Sequence, residues 1–364
     1  MVGGAKLMNT LPVPVYAPNS QVYKYNLVSP LGKGQFGQVW LANDLALQRR
    51  YAVKILNPGV PVDQRLREAQ LGNRLQHENL VHIYQADVVQ YGNDHVVILA
   101  MEYLPGGSVV RRLNPANFLP LPDVLSIGKQ VLQGLDYLHA NSFYHNDIKP
   151  ENIMVGPLGQ AMLTDYGIMG ISANGQPTAA PNAYKFHMAP EVHASRQISV
   201  QTDIFQTGLT LYRLAVGLST LRAKQAALGW DQYHAAIGAG CLVEQADFPD
   251  FIPGAVRRII ETALQPDPRK RFQSALDMRR EIEKLSFPGF WSADANGQLI
   301  GSDGRHEYRF EKAPAGARFN VTAFRRNISS GRETRVSEFS GRDLTSRNAD
   351  ALIGKFIKHV VRGK

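Results

Sequence analysis

Residues 32–39 place three glycines in a Gly-x-Gly-x-x-Gly spacing, and the residues directly after them constrain the fold more than any other feature of the chain. Gly32, Gly34 and Gly37 lack a Cβ atom, so backbone amides there can approach phosphate oxygens closely. Dinucleotide-binding folds share this spacing, but there the glycines open a helix. Here the apolar run from Val39 to Ala42 comes next, and this pattern predicts a β-hairpin.

Four further short motifs occur in order along the chain. They are Ala52-Val53-Lys54, the segment 145–152 that reads His-Asn-Asp-Ile-Lys-Pro-Glu-Asn, Asp165-Tyr166-Gly167, and Ala189-Pro190-Glu191. Phosphoryl transfer needs a carboxylate that orients the attacking hydroxyl and accepts its proton, a cation near the phosphate, and oxygen ligands for magnesium. Segment 145–152 supplies one of each in Asp147, Lys149 and Asn152.

Together the motifs resemble the eukaryotic-type (Hanks-type) Ser/Thr protein kinase family, in the family's order, over roughly residues 22–286. The resemblance implies an α+β, two-lobed fold, with a small antiparallel-sheet lobe over 22–104 and a helical large lobe over 105–286. Residues 1–21 are expected to form a proline-containing leader. Residues 287–364 lie outside the resemblance and are expected to form a basic accessory domain.

The resemblance also implies the cofactors ATP and Mg²⁺ and gives the site residues their roles. The catalytic set is Asp147, Lys149, Lys54 and Glu68, where Glu68 is the expected ion-pair partner of Lys54. The residues expected around the nucleotide are Leu31, Gly32, Gly34, Gly37, Val39, Ala52, Lys54, Met101, Glu102 and Leu104. The expected magnesium ligands are Asn152 and Asp165. Further from the site, Glu191 and Arg271 are expected to form a buried ion pair, and Asp203 to brace the catalytic loop, residues 145–152.

Three positions depart from the family's pattern. Asn146 stands where most regulated members carry the arginine that neutralises an activation-loop phosphate, and an asparagine cannot form a charge-assisted fork. We therefore expect activity without such a phosphate. Tyr166 replaces the usual phenylalanine of the magnesium motif. Tyr184 replaces a threonine that normally bridges the catalytic aspartate and lysine, which leaves the choice of acceptor open. Lys149, two residues after Asp147, matches the Ser/Thr branch.

Hydrophobic periodicity predicts secondary structure within both lobes. Short β-branched runs around the glycine loop, at 50–56 and at 96–103 predict strands, and residues 64–76 predict one helix beside them. The large lobe has helical patterns at 121–140, 200–218, 233–237, 254–264 and 274–284. The change from strand to helix patterns comes after the break at Pro105-Gly106-Gly107.

The last 78 residues hold most of the chain's basic excess. The chain has a formal net charge of +9, and residues 287–364 carry 14 Lys and Arg against eight Asp and Glu. Residues 287–296 resemble a connector, and alternating runs at 307–312, 318–325 and 333–339 predict three strands before a helix at 346–361. The arginines among these runs alternate with Tyr308, Phe310, Phe319 and Phe324. They indicate either a solvated face over an aromatic core, or a surface for nucleic acid or an acidic partner.

Composition excludes several other classes of protein. With 44% apolar residues the chain can bury a large core, and one cysteine, Cys241, allows no internal disulfide. The sequence has no signal peptide and no apolar run of membrane-spanning length, so a cytoplasmic protein is expected. An active kinase that phosphorylates protein substrates, itself among them, is the first hypothesis. A nucleotide-binding pseudokinase and a small-molecule kinase of related fold are the alternatives.

Overall fold

A computed structural model of the protein describes residues 16–34, 37–57, 75–91, 94–165, 170–172, 175–180 and 184–363. These residues belong to two units. The first contains the chain up to residue 107 together with 154–169, and the second contains 108–153 and everything from residue 170. The helix expected at 64–76 lies almost wholly outside the described residues.

The first unit is built on a six-stranded antiparallel sheet, which confirms the sheet expected from the alternating runs. Its strands, in the spatial order β1-β2-β3-β4-β6-β5, are β1 (Gln21–Val22), β2 (Tyr25–Gly34), β3 (Gly37–Asp44), β4 (Arg49–Leu56), β5 (Ile83–Tyr91) and β6 (Asp94–Met101). Strands β2 and β3 form the hairpin that the glycine spacing predicts, with Gly34 opposite Gly37. One face packs around Tyr25, Leu27, Trp40, Val53 and Ile98, all buried.

A small two-stranded hairpin completes the first unit. It is formed by β8 (Ile153–Val155) and β9 (Ala161–Leu163). The backbone of Leu163 exchanges hydrogen bonds with Asn79 and Val81, and the Asn79 side chain donates to the carbonyl of Ala161 at 2.9 Å. These bonds fix the start of the 164–165 segment, and with it Asp165, relative to the sheet.

The second unit is mainly helical. Its helices before residue 287 are α1 (Leu121–Ala140), α2 (Pro190–Ser195), α3 (Val200–Val216), α4 (Thr220–Ala239), α5 (Gly254–Ala263) and α6 (Ala275–Glu283). Helix α3 is buried along almost its whole length and begins with a capping box, in which Ser199 and Thr202 satisfy each other's backbone N–H groups. The sequence predicts four of these helices to within two residues at each end. It detects only residues 233–237 of α4.

Two short antiparallel pairs of strands also lie in the second unit. They join β7 (Phe143–Tyr144) to β10 (Gly170–Ile171), and β11 (Thr178–Ala179) to β12 (Gln197–Ile198). Each pair is only two residues long. They nevertheless tie β10 and β11 to β7, before residues 145–152, and to β12, after them.

The C-terminal residues form a sheet covered by a helix, as expected, but the prediction of three strands is wrong. The described residues there contain six strands: β13 (Phe290–Ala293), β14 (Leu299–Ser302), β15 (His306–Ala315), β16 (Arg318–Asn327), β17 (Glu333–Arg335) and β18 (Gly341–Leu344), followed by α7 (Ser346–Arg362). The supposed connector at 287–296 therefore contains a strand. Strands β13, β14 and β18 have four residues each, too few for alternation to be visible in sequence.

The aromatic residues of this sheet divide between its faces. Tyr308 and Phe310 face α7, where they contact Phe356 and Trp291 respectively, with ring centroids about 6 Å apart. Phe324 lies on the opposite face, beneath the Arg309 guanidinium. Phe319 shares the face of Phe310 with the buried Val321 and Ala323, so three of the four aromatics lie on the core side of the sheet.

Two arginines on the outer face of the sheet, Arg309 and Arg326, are paired with acids. Arg309 forms ion pairs with Glu333 and Glu311, and Arg326 lies 3.4 Å from Glu307. This pairing reduces the positive potential that a nucleic-acid surface would need. The structure therefore gives no support to a nucleic-acid partner at these residues.

Candidate active site

Lys54 lies in the middle of β4 and is buried, with 6% of its surface exposed. A buried ammonium group requires a partner, and the Nζ atom forms an ion pair with Oδ1 of Asp165 at 2.8 Å. Asp165 adopts a left-handed backbone conformation, with φ of 71°. The structure therefore brings together two of the expected site residues. Glu68, the expected partner of Lys54, lies outside the described residues.

The residues expected around the nucleotide lie on neighbouring strands of the same unit. Ala52 on β4 is the register partner of Met101 on β6, and both side chains are buried, as is Leu104. The backbone N–H of Glu102 donates to the carbonyl of His82 at 2.9 Å. That N–H is thus occupied within the unit, so Glu102 would offer its carbonyl to an adenine edge, and the expected contact of the Leu104 backbone stays a prediction.

The glycine hairpin needs glycine at one position for a packing reason. A Cβ atom at Gly37 would lie 2.2 Å from the carbonyl oxygen of Ile55 on β4, whereas one at Gly32 would have no atom within 4 Å. Leu31, Gly32 and Gly34 lie on β2, and Val39 lies on β3 opposite Lys54. Gly37 thus allows β3 to approach β4, and Gly32 leaves open space beside the backbone.

In the second unit, three residues of the catalytic loop contact each other directly. Lys149 Nζ lies 2.9 Å from Oδ1 and 2.7 Å from Oδ2 of Asp147. The Asn152 amide nitrogen donates to Oδ2 of Asp147 at 2.8 Å and to its backbone carbonyl at 3.0 Å. A carboxylate bonded by two donor side chains is restricted in its orientation. The structure thus assembles the carboxylate, cation and amide that the motif indicated.

Helix α3 braces the backbone of this loop, as expected for Asp203. The Asp203 carboxylate accepts the backbone N–H groups of His145 at 2.9 Å and Asn146 at 2.8 Å, and its side chain is fully buried. Gln206, one turn later, bonds the carbonyl of Asn146 and the N–H of Ile148. The role of Gln206 was not anticipated, although its i+3 spacing from Asp203 places it on the same face of the helix.

A buried network that the sequence did not reveal lies below the loop. Arg213 on α3 forms two hydrogen bonds with the Glu151 carboxylate, at 2.7 and 3.1 Å. Its Nη1 atom also donates to Nε2 of His187, whose Nδ1 atom bonds the carbonyl of Ile148 at 2.8 Å. Burial alone would raise the pKa of Glu151, but the Arg213 hydrogen bonds and charge lower it overall. The network connects residues 185–187 to the catalytic loop.

His187 is fully buried, and burial, together with the Arg213 charge, lowers its pKa well below 6.5. The folded protein therefore keeps this imidazole neutral where the unfolded chain takes up a proton. We expect the free energy of unfolding to fall as pH drops below about 6.5, by up to about 1.4 kcal/mol per pH unit from this group. Urea unfolding from pH 7.5 to 5.0 measures the effect.

The matched variant for this test is His187→Gln, which cannot titrate and retains a hydrogen-bonding side chain. It should be less stable than the unsubstituted protein at pH 7.5, yet lose less stability on acidification. If both proteins lose the same free energy between pH 6.5 and 5.0, His187 is not the group responsible.

The expected buried ion pair between Glu191 and Arg271 is present. Both Arg271 terminal nitrogens donate to the Glu191 carboxylate, each at 2.8 Å, and the Arg271 side chain is fully buried. Glu191 lies in the first turn of α2, and Arg271 precedes α6. The pair therefore holds the segment before α2 against the helices of the same unit.

The expected magnesium ligands, one in each unit, offer suitable oxygen atoms. Asn152 directs its amide nitrogen to Asp147, which turns its oxygen away from that carboxylate. Asp165 has 32% of its side chain exposed while it contacts Lys54. In the described ranges no three His, Cys, Asp or Glu side chains form a metal-binding group. Mg²⁺ commonly uses one or two protein oxygens together with waters and substrate phosphates, and each residue, within its own unit, offers an oxygen of this kind.

The order of these features is that of a known family of phosphotransferases. Residues 25–280 match the family model described as the protein kinase domain. The chain belongs to the protein kinase family. Its antiparallel sheet and helical region are the small and large lobes of this fold, and the C-terminal sheet with α7 is an addition to it.

Two bacterial kinases are similar to this protein kinase along most of its length. Serine/threonine-protein kinase PrkC of Bacillus subtilis is 26% identical over 273 residues, which cover 71% of this chain and 40% of the relative. A probable serine/threonine-protein kinase of Streptomyces coelicolor is 30% identical over 270 residues, covering 71% of this chain and 39% of the relative. The chain thus spans about two fifths of the length of these relatives.

A third relative matches a larger share of both sequences. Serine/threonine-protein kinase pkn3 of Myxococcus xanthus is 28% identical over 301 residues, covering 76% of this chain and 53% of the relative.

In the part of the chain that the structure describes, no helix is long and apolar enough to cross a membrane.

Proposed function

We propose that this chain is an ATP-dependent Ser/Thr protein kinase that transfers the γ-phosphate to protein hydroxyls. The observation that supports it most directly is the contact of Asp147 with both Lys149 and Asn152. A pseudokinase has no need to orient a carboxylate in this way. The intact pair of Lys54 and Asp165 in the first unit supports the same proposal.

The roles proposed for these residues derive from their chemistry. Asp147 orients the acceptor hydroxyl and takes its proton, and Lys149 places a positive charge beside the transferring phosphoryl group. Lys54 holds nucleotide phosphates, and Ala52, Met101 and Leu104 provide apolar surface for the base. Mg²⁺, held by Asn152 and Asp165, would neutralise phosphate charge. Lys149 also favours serine or threonine as the acceptor, through its position two residues after Asp147.

We also propose that activity needs no phosphate on the activation segment, residues 165–191. Asn146, at the position of the usual arginine, is fully buried, and its backbone is bonded to Asp203 and Gln206. A side chain enclosed in this way cannot reach an exposed phosphate. Neutral hydrogen bonds hold the segment instead: Ser172 donates to the carbonyl of Gln176 at 2.7 Å and accepts from Tyr144 at 3.1 Å.

A progress curve tests this part of the proposal. Protein treated with phosphatase, and shown by mass spectrometry to carry no phosphate, should phosphorylate an added substrate at a constant rate from the first time point. Prior incubation with ATP and Mg²⁺ should not raise that rate. A lag that such incubation removes would show that phosphorylation of the kinase itself is required. Thr178→Val, which removes a possible phosphate acceptor in β11, is the control variant. Its rate should equal that of the unsubstituted protein.

The proposal is tested as a whole by incubating the protein with Mg²⁺ and γ-labelled ATP in the presence of general protein acceptors. Label on serine or threonine, located by mass spectrometry, is the expected result, and autophosphorylation is one form of it. Label on a metabolite would instead indicate a small-molecule kinase. A pseudokinase would incorporate no label while ATP still raised its melting temperature.

We place the protein in the cytoplasm, which agrees with its single cysteine.

A further inference from the structure

The ammonium group of Lys149 has a second contact besides Asp147. Its Nζ atom lies 4.3 Å from the centroid of the Tyr184 ring. A cation at this distance from an aromatic face is attracted by the electron-rich centre of the ring. Lys149 is thus held between the carboxylate on one side and the ring on another, and 16% of its side chain is exposed.

We propose that Tyr184 is a positioning residue that holds Lys149 against Asp147 through its aromatic face. The inference rests on the proposed kinase function and deepens it. Most Ser/Thr kinases place a threonine at this position, whose hydroxyl can bridge aspartate and lysine. Of the aspartate and the lysine, the Tyr184 ring contacts Lys149, while Asn152 bonds the Asp147 carboxylate. Two separate contacts thereby replace one bridge.

The Tyr184 ring is itself held by its neighbours. It contacts the rings of Phe186 and His187, with centroids 5.7 and 5.6 Å away. His187 is bonded to the carbonyl of Ile148 in the catalytic loop. The segment 184–187 therefore joins the loop at two points, Tyr184 with Lys149 and His187 with Ile148. A shift of this segment would move the lysine as well.

The phenol group of Tyr184 remains protonated at neutral pH. Burial, followed by the negative charge of Glu151, raises its pKa above 10. Lys149 therefore faces a neutral ring, and the contact depends on the aromatic face. This distinction separates the variants: phenylalanine preserves the face, leucine removes it, and threonine restores the family's usual hydroxyl.

Steady-state kinetics test the inference. Lys149 acts on the phosphoryl group in transfer, so a misplaced ammonium should lower kcat and leave the KM for ATP unchanged. We expect Tyr184→Leu to lower kcat about tenfold, as loss of a partly buried cation–aromatic contact implies. Tyr184→Phe should retain most of the turnover. An equal loss of kcat in the phenylalanine and leucine variants would overturn the assignment to the ring.

A double-mutant cycle shows whether Tyr184 acts through Lys149. In a Lys149→Ala background, adding Tyr184→Leu should cause almost no further loss of kcat, because the partner is already absent. A further tenfold loss in that background would contradict the proposal. Phe324→Leu is the matched control, since Phe324 lies 3.9 Å beneath Arg309 in the C-terminal sheet and its loss should not alter kcat.

A chemical measurement tests the contact without any activity. The rate of Lys149 acetylation by acetic anhydride, followed by mass spectrometry, reports how firmly the ammonium is held. Relative to the exposed Lys355, Lys149 should react faster in Tyr184→Leu than in the unsubstituted protein or in Tyr184→Phe. Equal rates in all three proteins would overturn the inference. If no phosphate is transferred but the rates differ as expected, the proposed function fails and the positioning contact stands.

Discussion

Replacing Asp147 with asparagine is expected to lower kcat by about 10²- to 10⁴-fold, the range typical of removing a general base. The substitution keeps the shape of the side chain. An asparagine oxygen at the position of Oδ2 could still accept from Asn152 and Lys149, and only the Oδ1 contact would be lost. The loss of rate would therefore come mainly from the loss of a proton acceptor. Label transfer from γ-labelled ATP measures it.

Two controls accompany this variant. The stabilisation of Asp147→Asn by ATP and Mg²⁺, measured as a shift in melting temperature, should persist, because nucleotide binding is assigned to other residues. Asp123→Asn, which changes an exposed carboxylate in the first turn of α1, should transfer phosphate at the normal rate. If Asp147→Asn also transfers phosphate normally, Asp147 is not the proton acceptor and the proposed mechanism is wrong.

The parts of the site that could be predicted from sequence are those whose reactive side chains lie close together along the chain. Asp147, Lys149 and Asn152 lie within six residues, so their contact results from one loop conformation. Asp203 could be assigned because the family motif places it on a helix that supports this loop. Local motifs specify local structure, and here that structure contains most of the proposed chemistry.

Contacts between distant residues were harder to predict. Glu151 and Arg213 are 62 residues apart, and neither residue alone indicates a buried pair. The substitution at Tyr184 was visible, but its contact with Lys149 depends on where the ring turns. Lys54 pairs with Asp165 in the structure, and its expected pairing with Glu68 lies outside the described residues.

The C-terminal sheet shows a different limit of prediction from sequence, which is set by strand length. Strands β15 and β16 have ten residues each, and their alternation reveals them. Strands β13 and β14 have four, and the turn between them is made by Asp294, whose carboxylate accepts the N–H groups of Asn296 and Gln298. The Asn296-Gly297 pair is a hairpin signal. A turn signal without alternating strands beside it was not enough to identify the hairpin.

The Glu191–Arg271 pair should be the most sensitive point for stability in the large lobe. Besides its two bonds to Glu191, Arg271 donates to the backbone carbonyls of Gln265, Pro266 and Gln201 at 2.7 to 3.1 Å. Thr202 also donates to the Glu191 carboxylate, at 2.9 Å. Loss of the guanidinium would leave a largely buried carboxylate and three carbonyls without these donors. Such a loss is destabilising even though the intact pair itself adds little net stability.

Arg271→Ala is therefore expected to lower the free energy of unfolding by about 3 to 5 kcal/mol, measured by urea denaturation. Arg269→Ala is the matched control two residues away: Arg269 pairs with Asp267, but 89% of its side chain is exposed, so the urea midpoint should not change measurably. Replacing both Glu191 and Arg271 with leucine should cost less than the sum of the two single replacements, because neither charge is then left alone. Additive losses would mean that the two residues contribute independently, and the pair would not be what holds this segment.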